Sequence, residues 1–205
     1  MAKRSYRQNC ALAQASDVIG ERWSLLLVRD LLVGPRRFNE LSRSLKGIGS
    51  NLLAARLKEL EAAGIIERRA SDAGGHLYAL TEVGQALEPA LLALVRWGLR
   101  YGPGNQEGFH HQDDWDLVAL KALFQPDRVV DLSVSVQFKT EEFAAWMAID
   151  DQQVTMGLGE APEPDVTVNG TIKDLFTGAG SPDGLCVSDS HEKLGQFMSA
   201  FTLPT

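Results

Sequence analysis

Few stretches of this 205-residue chain combine residue types and spacing that catalysis or metal binding would require. HHQDDWD, residues 110–116, holds metal-ligand side chains, but adjacent histidines point to different sides of a regular element, which favours a solvated connector. HEKLG at His191 lacks the second histidine of a zinc protease helix, and GAGSPDG at Gly178 has the wrong spacing for a dinucleotide loop. No nucleophile, base and orienting group occur together. We therefore predict no catalytic site, no metal and no cofactor.

A second set of side chains, in the first half of the chain, suits DNA recognition. Asparagine can pair with adenine through two hydrogen bonds, lysine reaches guanine or phosphate, and arginine or histidine can hold the backbone. The alternative is that they are the solvated sides of ordinary helices and strands. The predicted DNA-binding residues are Ser50, Asn51, Ala54, Ala55, Arg56, Lys58, Arg68, Arg69, His76, Arg36 and Arg37.

The hydrophobic pattern of residues 11–80 predicts the elements that would position this set. Helices over residues 11–19, 22–32 and 38–45 lead to a turn at residues 47–49 and a helix capped by Ser50. Two strands, residues 65–69 and 76–80, flank the loop SDAGG. This order is the layout of a winged helix-turn-helix domain, in which the last helix enters the major groove.

The fourth predicted helix has two distinct sides. Leu53, Leu57 and Leu60 form its apolar stripe, and at 100° per residue Asn51 and Lys58 fall opposite that stripe, together with Ala55. Ser50, Ala54 and Arg56 lie at the edges. The helix is therefore predicted to bury one side and to offer the other to base edges.

A further helical segment and a linker follow the hairpin. Thr81 caps a helix that Pro89 must interrupt, so that a fresh segment begins there, with Leu91, Leu94, Val95 and Trp97 on a side suited to packing or dimerisation. GPGNQEG, residues 102–108, is turn-forming and poor in apolar residues. We place a winged helix-turn-helix domain at residues 1–102, a linker at 103–112 and an acidic α/β domain at 113–205, which makes the fold α+β.

The second domain shows a different pattern. Residues 130–138 alternate between apolar and polar, which predicts a strand with one solvated face. Residues 143–149 and 154–158 flank the polar turn DDQQ as a hairpin, and residues 165–168 make another strand. Thr171 and Asp174 resemble a capping box before a helix over residues 172–176, and a final helix spans residues 190–201.

Charge divides at the linker. Residues 1–102 carry a formal charge of +5 and residues 103–205 carry −12. A DNA-facing half joined to a half that avoids phosphate would show this asymmetry, although a solvated acidic domain explains the second value equally well. No apolar stretch reaches the length of a membrane span, and the N-terminus lacks the core of a secretory signal. We expect a cytoplasmic protein without a membrane partner.

The first half resembles a known family. CALAQASDVIGERWSLLLVRDLLVGPRRFNELSRSLKGIGSNLLAARLKELEAAGIIERR followed by YALTEVGQALEPALLALVRWG is similar to the HxlR family of bacterial winged-helix regulators, with linked motifs including IGxRW, FNEL and RLKELEAAGII. The resemblance implies a homodimer formed through the first and last helices, with two recognition helices on palindromic double-stranded DNA. The chain departs from the family at one point, since its wing loop, SDAGGH, is compact.

Cys10 matches the position at which some members of that family carry a redox- or electrophile-sensing thiol. Nearby Arg4 and Arg7 and a helix start would stabilise a thiolate. The alternative is a small buried apolar side chain, since unpaired cysteine packs well. With only Cys10 and Cys186 in the chain, in different predicted domains, no disulfide framework is expected.

The second half resembles the sterol-carrier-protein-2 fold, on the segments DVTVNGTIKDLFTG and SDSHEKLGQFMSAF. The resemblance implies an α/β domain that holds a small apolar ligand. The predicted pocket walls are Phe143, Trp146, Phe176, Phe197 and Phe201. The alternative is that these aromatic residues form an ordinary packed core without a pocket.

Three functions are consistent with these patterns. The first is a dimeric DNA-binding regulator, not an enzyme, whose acidic domain binds an apolar effector. The second keeps DNA binding and makes the acidic domain a structural or dimerisation module. The third is a small enzyme or lipid carrier with a helical appendage, which the lack of a catalytic constellation disfavours.

Overall fold

The computed structural model describes residues 5–104, 106–129, 131–141, 143–177 and 191–202. It is an α+β protein, as predicted, and divides into two compact units, Met1–Leu91 and Leu92–Thr205. The division falls inside a helix and before the predicted linker, so the boundary at residues 103–112 stays a prediction. Within the described part of the chain, no helix is long and apolar enough to cross a membrane.

The first unit has the predicted order of helices and a hairpin. One start differs: the second helix begins at Ser24 rather than at Arg22, because Trp23 adopts a left-handed φ of 82° and breaks the helical path. The elements are α1 (Ala11–Ile19), α2 (Ser24–Val33), α3 (Phe38–Ser44), α4 (Ser50–Ala62), β1 (Ile66–Ala70), β2 (His76–Leu80), α5 (Glu82–Gln85) and the start of α6 (Glu88–Tyr101).

A buried polar bond joins α2 to α3 inside this unit. Asp30 is wholly buried, and its carboxylate accepts a hydrogen bond from Ser44 Oγ at 2.6 Å and two from Arg29. Burial of an ionised carboxylate is tolerated only with such partners. The buried apolar core of this unit includes Leu27, Leu31, Leu41, Leu53, Leu57, Leu60, Ile66 and Leu80.

The hairpin is antiparallel and is extended by a single bridge outside its two strands. Ile66 lies opposite Leu80, and Arg36 pairs with Tyr78 through two backbone hydrogen bonds of 2.9 and 2.7 Å. Thr81 Oγ1 accepts from the Gly84 amide and so caps α5, as predicted. Pro89 lies in the first turn of α6, where its missing amide proton costs nothing, which confirms the predicted fresh start.

The second unit contains the rest of α6 and a mixed sheet. Its further elements are α7 (Asp113–Ala122), a 3₁₀ turn (Pro126–Arg128), β3 (Val134–Lys139), β4 (Ala144–Asp150), β5 (Gln153–Leu158), β6 (Val166–Asn169), α8 (Ile172–Thr177) and α9 (His191–Ser199). The sheet order is β5-β4-β3-β6, antiparallel except that β6 runs parallel to β3. Positive φ at Asp151 and Gln152 gives the tight turn of the predicted β4–β5 hairpin.

The first strand of this sheet differs from its prediction. It begins at Val134, and Gln137, expected on a solvated face, is 4% exposed. The Gln137 amide donates to the carbonyls of Ala145 and Gly159 at 2.9 and 3.1 Å, and its oxygen accepts from the Ala161 amide. The loop after β5 therefore covers this part of the face and satisfies the buried amide.

Helix α7 was not predicted, because its first turn reads as a solvated acidic connector. Asp113, Asp114 and Asp116 instead occupy the helix N-terminus, which favours negative charge, and Asp114 is only 4% exposed. The Thr171–Asp174 capping box is confirmed, with the two residues exchanging amide-to-side-chain hydrogen bonds of 3.0 and 3.1 Å.

Candidate DNA interface

A tight turn separates α3 from α4 and sets where the recognition helix begins. Gly47 has φ 95°, a conformation that side chains rarely adopt, and Ile48 is buried between the two helices. Gly49 is the extended residue before the helix, so Ser50 is the first helical residue and not the cap. Ser50 is exposed there, at the end of α4 that would enter a groove first.

The two sides of α4 are as predicted. Leu53, Leu57 and Leu60 are at most 1% exposed, while Asn51 and Lys58 are exposed on the opposite side. Ala54 and Ala55 are exposed as well, and their small side chains let the helix backbone approach another surface closely. The helix thus presents a hydrogen-bonding amide and a cation on its exposed side.

Arg56 does not belong to this exposed side. Its side chain is 14% exposed, and its guanidinium is paired with Glu59 and, at 2.8 Å, with Glu21 in the loop after α1. The helical angle of Arg56 predicted an edge position correctly. It could not show that Glu21, 35 residues earlier, lies at that edge. Arg56 fastens α4 to the rest of the unit.

The basic residues of the hairpin are exposed but are not equivalent. Arg68 lies opposite Tyr78 and Arg69 opposite Leu77, so the two side chains point to opposite faces of the hairpin. Arg68 Nε is 2.9 Å from Glu61, and Arg69 is 2.7 Å from Glu67. Exposed pairs of this kind are weak and give way to a phosphate at little cost. His76 is exposed at the start of β2.

Arg36 and Arg37, predicted as phosphate contacts, have protein partners. Arg36 is half-buried, forms the bridge to Tyr78, and directs its Nε toward the Asp30 carbonyl at 3.4 Å. Arg37 reaches across to the wing loop, where it donates to the Gly74 carbonyl at 2.7 Å and to Ser71 Oγ at 2.8 Å. Sequence analysis did not identify Glu21 and Ser71, which hold the site together.

Comparison with known proteins covers this half of the chain. The sequence profile of the HxlR-like helix-turn-helix family matches residues 18–106. An uncharacterized HTH-type transcriptional regulator of Mycobacterium tuberculosis is 40% identical over 95 residues, which are 45% of this chain and 60% of that protein. YybR, an uncharacterized HTH-type transcriptional regulator of Bacillus subtilis, is 36% identical over 45% of this chain and 75% of its own.

The chain belongs to the HxlR-like helix-turn-helix family. Both relatives bear the name of HTH-type transcriptional regulators. A solved structure described as redox regulator HypR in its reduced form is 36% identical over 43% of this chain and 90% of that chain, with a TM-score of 0.41. The HxlR-like match runs from α1 through the hairpin to α6, and it leaves out Cys10 and the sheet of the second unit.

Cys10 of this HxlR-like chain is exposed and lies just before α1. The backbone N–H groups of Ala13 and Leu12, at the start of the helix, lower the pKa of its thiol. The alternative of a buried apolar side chain is therefore wrong for this position. An exposed thiol with a lowered pKa is the kind that reacts. Arg4 and Cys186 lie outside the described residues.

The five aromatic residues predicted to line a pocket do not come together on one face. The ring centre of Phe197 lies 6.2 Å from that of Phe138 and 5.0 Å from that of Phe201, within the core between the sheet and α9. Trp146 pairs with Gln137 in register and so lies on the other face of the sheet, against Gly157. Phe143 is half-buried before β4, and the side chain of Phe176 lies outside the described residues.

The histidines before α7 are part of the folded unit. His111 Nε2 is 3.1 Å from Asp116 Oδ2, and the His110 ring meets the Trp115 ring edge-on at 5.4 Å. Burial raises the pKa of Asp116, and the nearby His111 opposes that rise. Among the described residues, no group of three or more histidine, cysteine or acidic side chains is arranged to hold a metal ion.

Proposed function

We propose that this chain is a sequence-specific DNA-binding transcription regulator that acts as a homodimer on a palindromic operator. The observation that carries the proposal is α4 itself: a helix anchored by a fully buried leucine stripe that exposes Asn51, Ala55 and Lys58 beside a two-stranded wing. Membership of the HxlR-like family supports the same role. Asn51 and Lys58 are the residues proposed to touch base edges.

The spacing on α4 suits a short half-site. Asn51 and Lys58 are seven residues apart, which is about 10 Å along a helix and about three base pairs of DNA. Asn51 would read an adenine through two hydrogen bonds, and Lys58 a guanine or phosphate further along. Arg68, Arg69 and His76 on the hairpin would lie beside the sugar-phosphate backbone.

The proposed dimer uses apolar side chains that the fold leaves exposed. Leu94, Trp97 and Tyr101 of α6 are 53%, 61% and 61% exposed and recur at helical spacing, and Leu12 of α1 is also exposed. Exposed large apolar groups on one helix side are typical of a contact surface. A two-fold dimer would place its two recognition helices about 34 Å apart, one turn of DNA.

Binding to the DNA upstream of the coding sequence tests this function. Fluorescence anisotropy with that DNA should give tight binding that is lost as salt rises, and native mass spectrometry should give two chains per duplex. Equal affinity for scrambled DNA of the same length would contradict sequence-specific recognition.

We also propose that the acidic second unit is a regulatory domain for a small apolar effector. The support is its resemblance to the sterol-carrier-protein-2 fold and an α/β packing with aromatic groups between sheet and helix. Ligand can alter DNA affinity only if it binds one dimer geometry better than another. Native mass spectrometry of protein from cell extract should show a bound apolar molecule. If apolar candidates leave operator affinity unchanged, a purely structural role is favoured.

A redox role for Cys10 is a third proposal, supported by its exposure and by the helix-start amides that lower its thiol pKa. Alkylation or mild oxidation should release DNA from the wild type. Cys10→Ser should fold, bind DNA and ignore the oxidant. A wild type that keeps its operator after complete alkylation would rule out the thiol as a switch.

A further inference from the structure

The Arg37 side chain joins the tip of the wing to the helix-turn-helix. Arg37, immediately before α3, sends its guanidinium to the loop between β1 and β2. Nη1 donates to the Gly74 carbonyl at 2.7 Å, and Nη2 donates to Ser71 Oγ at 2.8 Å. A planar guanidinium with two donors in fixed directions specifies both the distance and the orientation of what it binds.

The other end of this connection is equally fixed. The Arg37 amide donates to Glu40 Oε2 in the first turn of α3 at 2.5 Å. Its neighbour Arg36 is paired with Tyr78 of β2 through both backbone groups. The guanidinium therefore extends from a backbone that is already tied to α3 and to the hairpin.

The loop at the wing tip has few side chains of its own that restrict its conformation, so a contact from outside the loop is needed to fix it. Gly74 and Gly75 have φ values of 80° and 78°, a conformation that glycine adopts freely, and Asp72 and Ala73 are exposed. Within the loop, the Gly74 amide bonds the Ser71 carbonyl at 2.8 Å, and the Ser71 amide bonds the Gly75 carbonyl at 3.1 Å. Arg37 contacts this turn at two of its corners.

We propose that Arg37 is a positioning residue that sets the wing relative to the recognition helix, rather than a phosphate contact, an inference that rests on the proposed DNA-binding function. Backbone pairing fixes the base of the two-stranded wing, and the Arg37 side chain fixes its tip. Because Arg68 and Arg69 lie on the wing, its orientation decides how their side chains contact the DNA backbone.

Hydrogen exchange on the DNA-free full-length protein tests the connection without any operator. Arg37→Ala should speed exchange of the Ser71 and Gly74 amides about tenfold, because the local opening becomes easier. Ser71→Ala removes one of the two hydrogen bonds and should give a smaller change in the same direction. The matched control is Arg43→Ala, whose side chain bonds the Asn39 carbonyl of its own helix and should leave the wing amides unchanged. Unchanged wing exchange in Arg37→Ala would overturn the proposal.

DNA binding separates positioning from a direct charge contact. Arg37→Lys keeps the charge but cannot span Gly74 and Ser71 with a single ammonium, so it should lose operator affinity nearly as much as Arg37→Ala, about tenfold. The double variant Arg37→Ala with Ser71→Ala should be no weaker than Arg37→Ala alone, because both changes release the same loop. A lysine variant with wild-type affinity and protected wing amides would overturn positioning. If the wild type binds no operator, the proposed function fails, and the exchange result still decides the role of Arg37.

Discussion

Four arginines that were predicted to contact DNA fall into two groups according to the partners of their guanidinium groups. Arg56 and Arg37 bond groups far away in the chain and stabilise the placement of α4 and of the wing. Arg68 and Arg69 are about half exposed and pair with nearby glutamates at the surface. The second group can change partners when a phosphate approaches, while the first can do so only by loosening the fold.

Removal of the surface pair should lower the salt dependence of DNA binding. Replacing Arg68 and Arg69 with alanine should weaken all DNA sequences alike, and should reduce the slope of log affinity against log salt by about 0.9 for each phosphate that the protein no longer neutralises. Anisotropy titrations at several salt concentrations measure this slope. Because the two side chains face opposite sides of the hairpin, the single variants show which side meets the DNA. An unchanged slope in the double variant would exclude the hairpin from the interface.

The carboxylate of Asp165, in the second unit, should make the free energy of unfolding depend on pH. Lys193 donates to Asp165, and the Ser135 amide donates to it at 2.8 Å, and both lower the Asp165 pKa. A lowered folded-state pKa stabilises the protein above the ordinary pKa of about 4, and this stabilisation is lost as pH falls through the folded-state value. In urea unfolding, the free energy of unfolding of the wild type should therefore exceed that of Asp165→Asn above about pH 4, and this difference should shrink at lower pH. A difference that is constant from pH 3 to 6 would contradict this.

The sequence predicted correctly which residues of α4 are exposed, but it did not predict the hydrogen-bond partners of the arginines. Helical periodicity is local, so Leu53, Asn51 and Lys58 are where the pattern places them. The bond from Arg37 to Gly74 spans 37 residues, and nothing in the local pattern indicates it. A single sequence therefore shows which arginines are near the surface but not which of them are already engaged.

At the scale of elements, the pairing of α2 with α3 depends on the bond between Ser44 and Asp30. Ser44→Ala leaves a buried carboxylate with one partner fewer and should cost about 1–3 kcal/mol of unfolding free energy. Ser42→Ala, a half-buried change on the same helix, should stay within about 0.5 kcal/mol. Urea unfolding of both variants compares them directly. Equal stability would mean that the buried bond contributes nothing.

The two features that the sequence did not predict, α7 and the burial of Gln137, both involve polar residues that are typical of exposed segments. Asp113, Asp114 and Asp116 are polar, yet they begin α7, since a helix N-terminus favours acidic groups. Gln137 is polar, yet it is buried, since Ala145, Gly159 and Ala161 satisfy its amide. In both cases the polar residue type indicated exposure to solvent. The outcome was decided for α7 by the preference of a helix N-terminus for negative charge, and for Gln137 by hydrogen bonds to groups up to 24 residues away.

At the scale of the molecule, the basic DNA-binding part and the acidic second part should be separable. Residues 1–102 keep the whole of α6 and should fold and bind operator without effector control. Residues 1–91 end where the first compact unit ends and lose Leu94, Trp97 and Tyr101, so this fragment should stay monomeric and bind operator much more weakly. Circular dichroism melting, sedimentation and anisotropy test both. An unfolded 1–102 fragment would contradict the proposed boundary.

Selection of binding sites from a randomised DNA pool shows whether α4 reads base sequence. Wild type should select a palindromic motif with half-sites one helical turn apart. Asn51→Ala should lose preference at one position in each half-site, a change of about 1–3 kcal/mol, and keep its salt slope because Asn51 carries no charge. The same motif, selected with the same strength by Asn51→Ala, would contradict the assignment of α4 as the recognition helix.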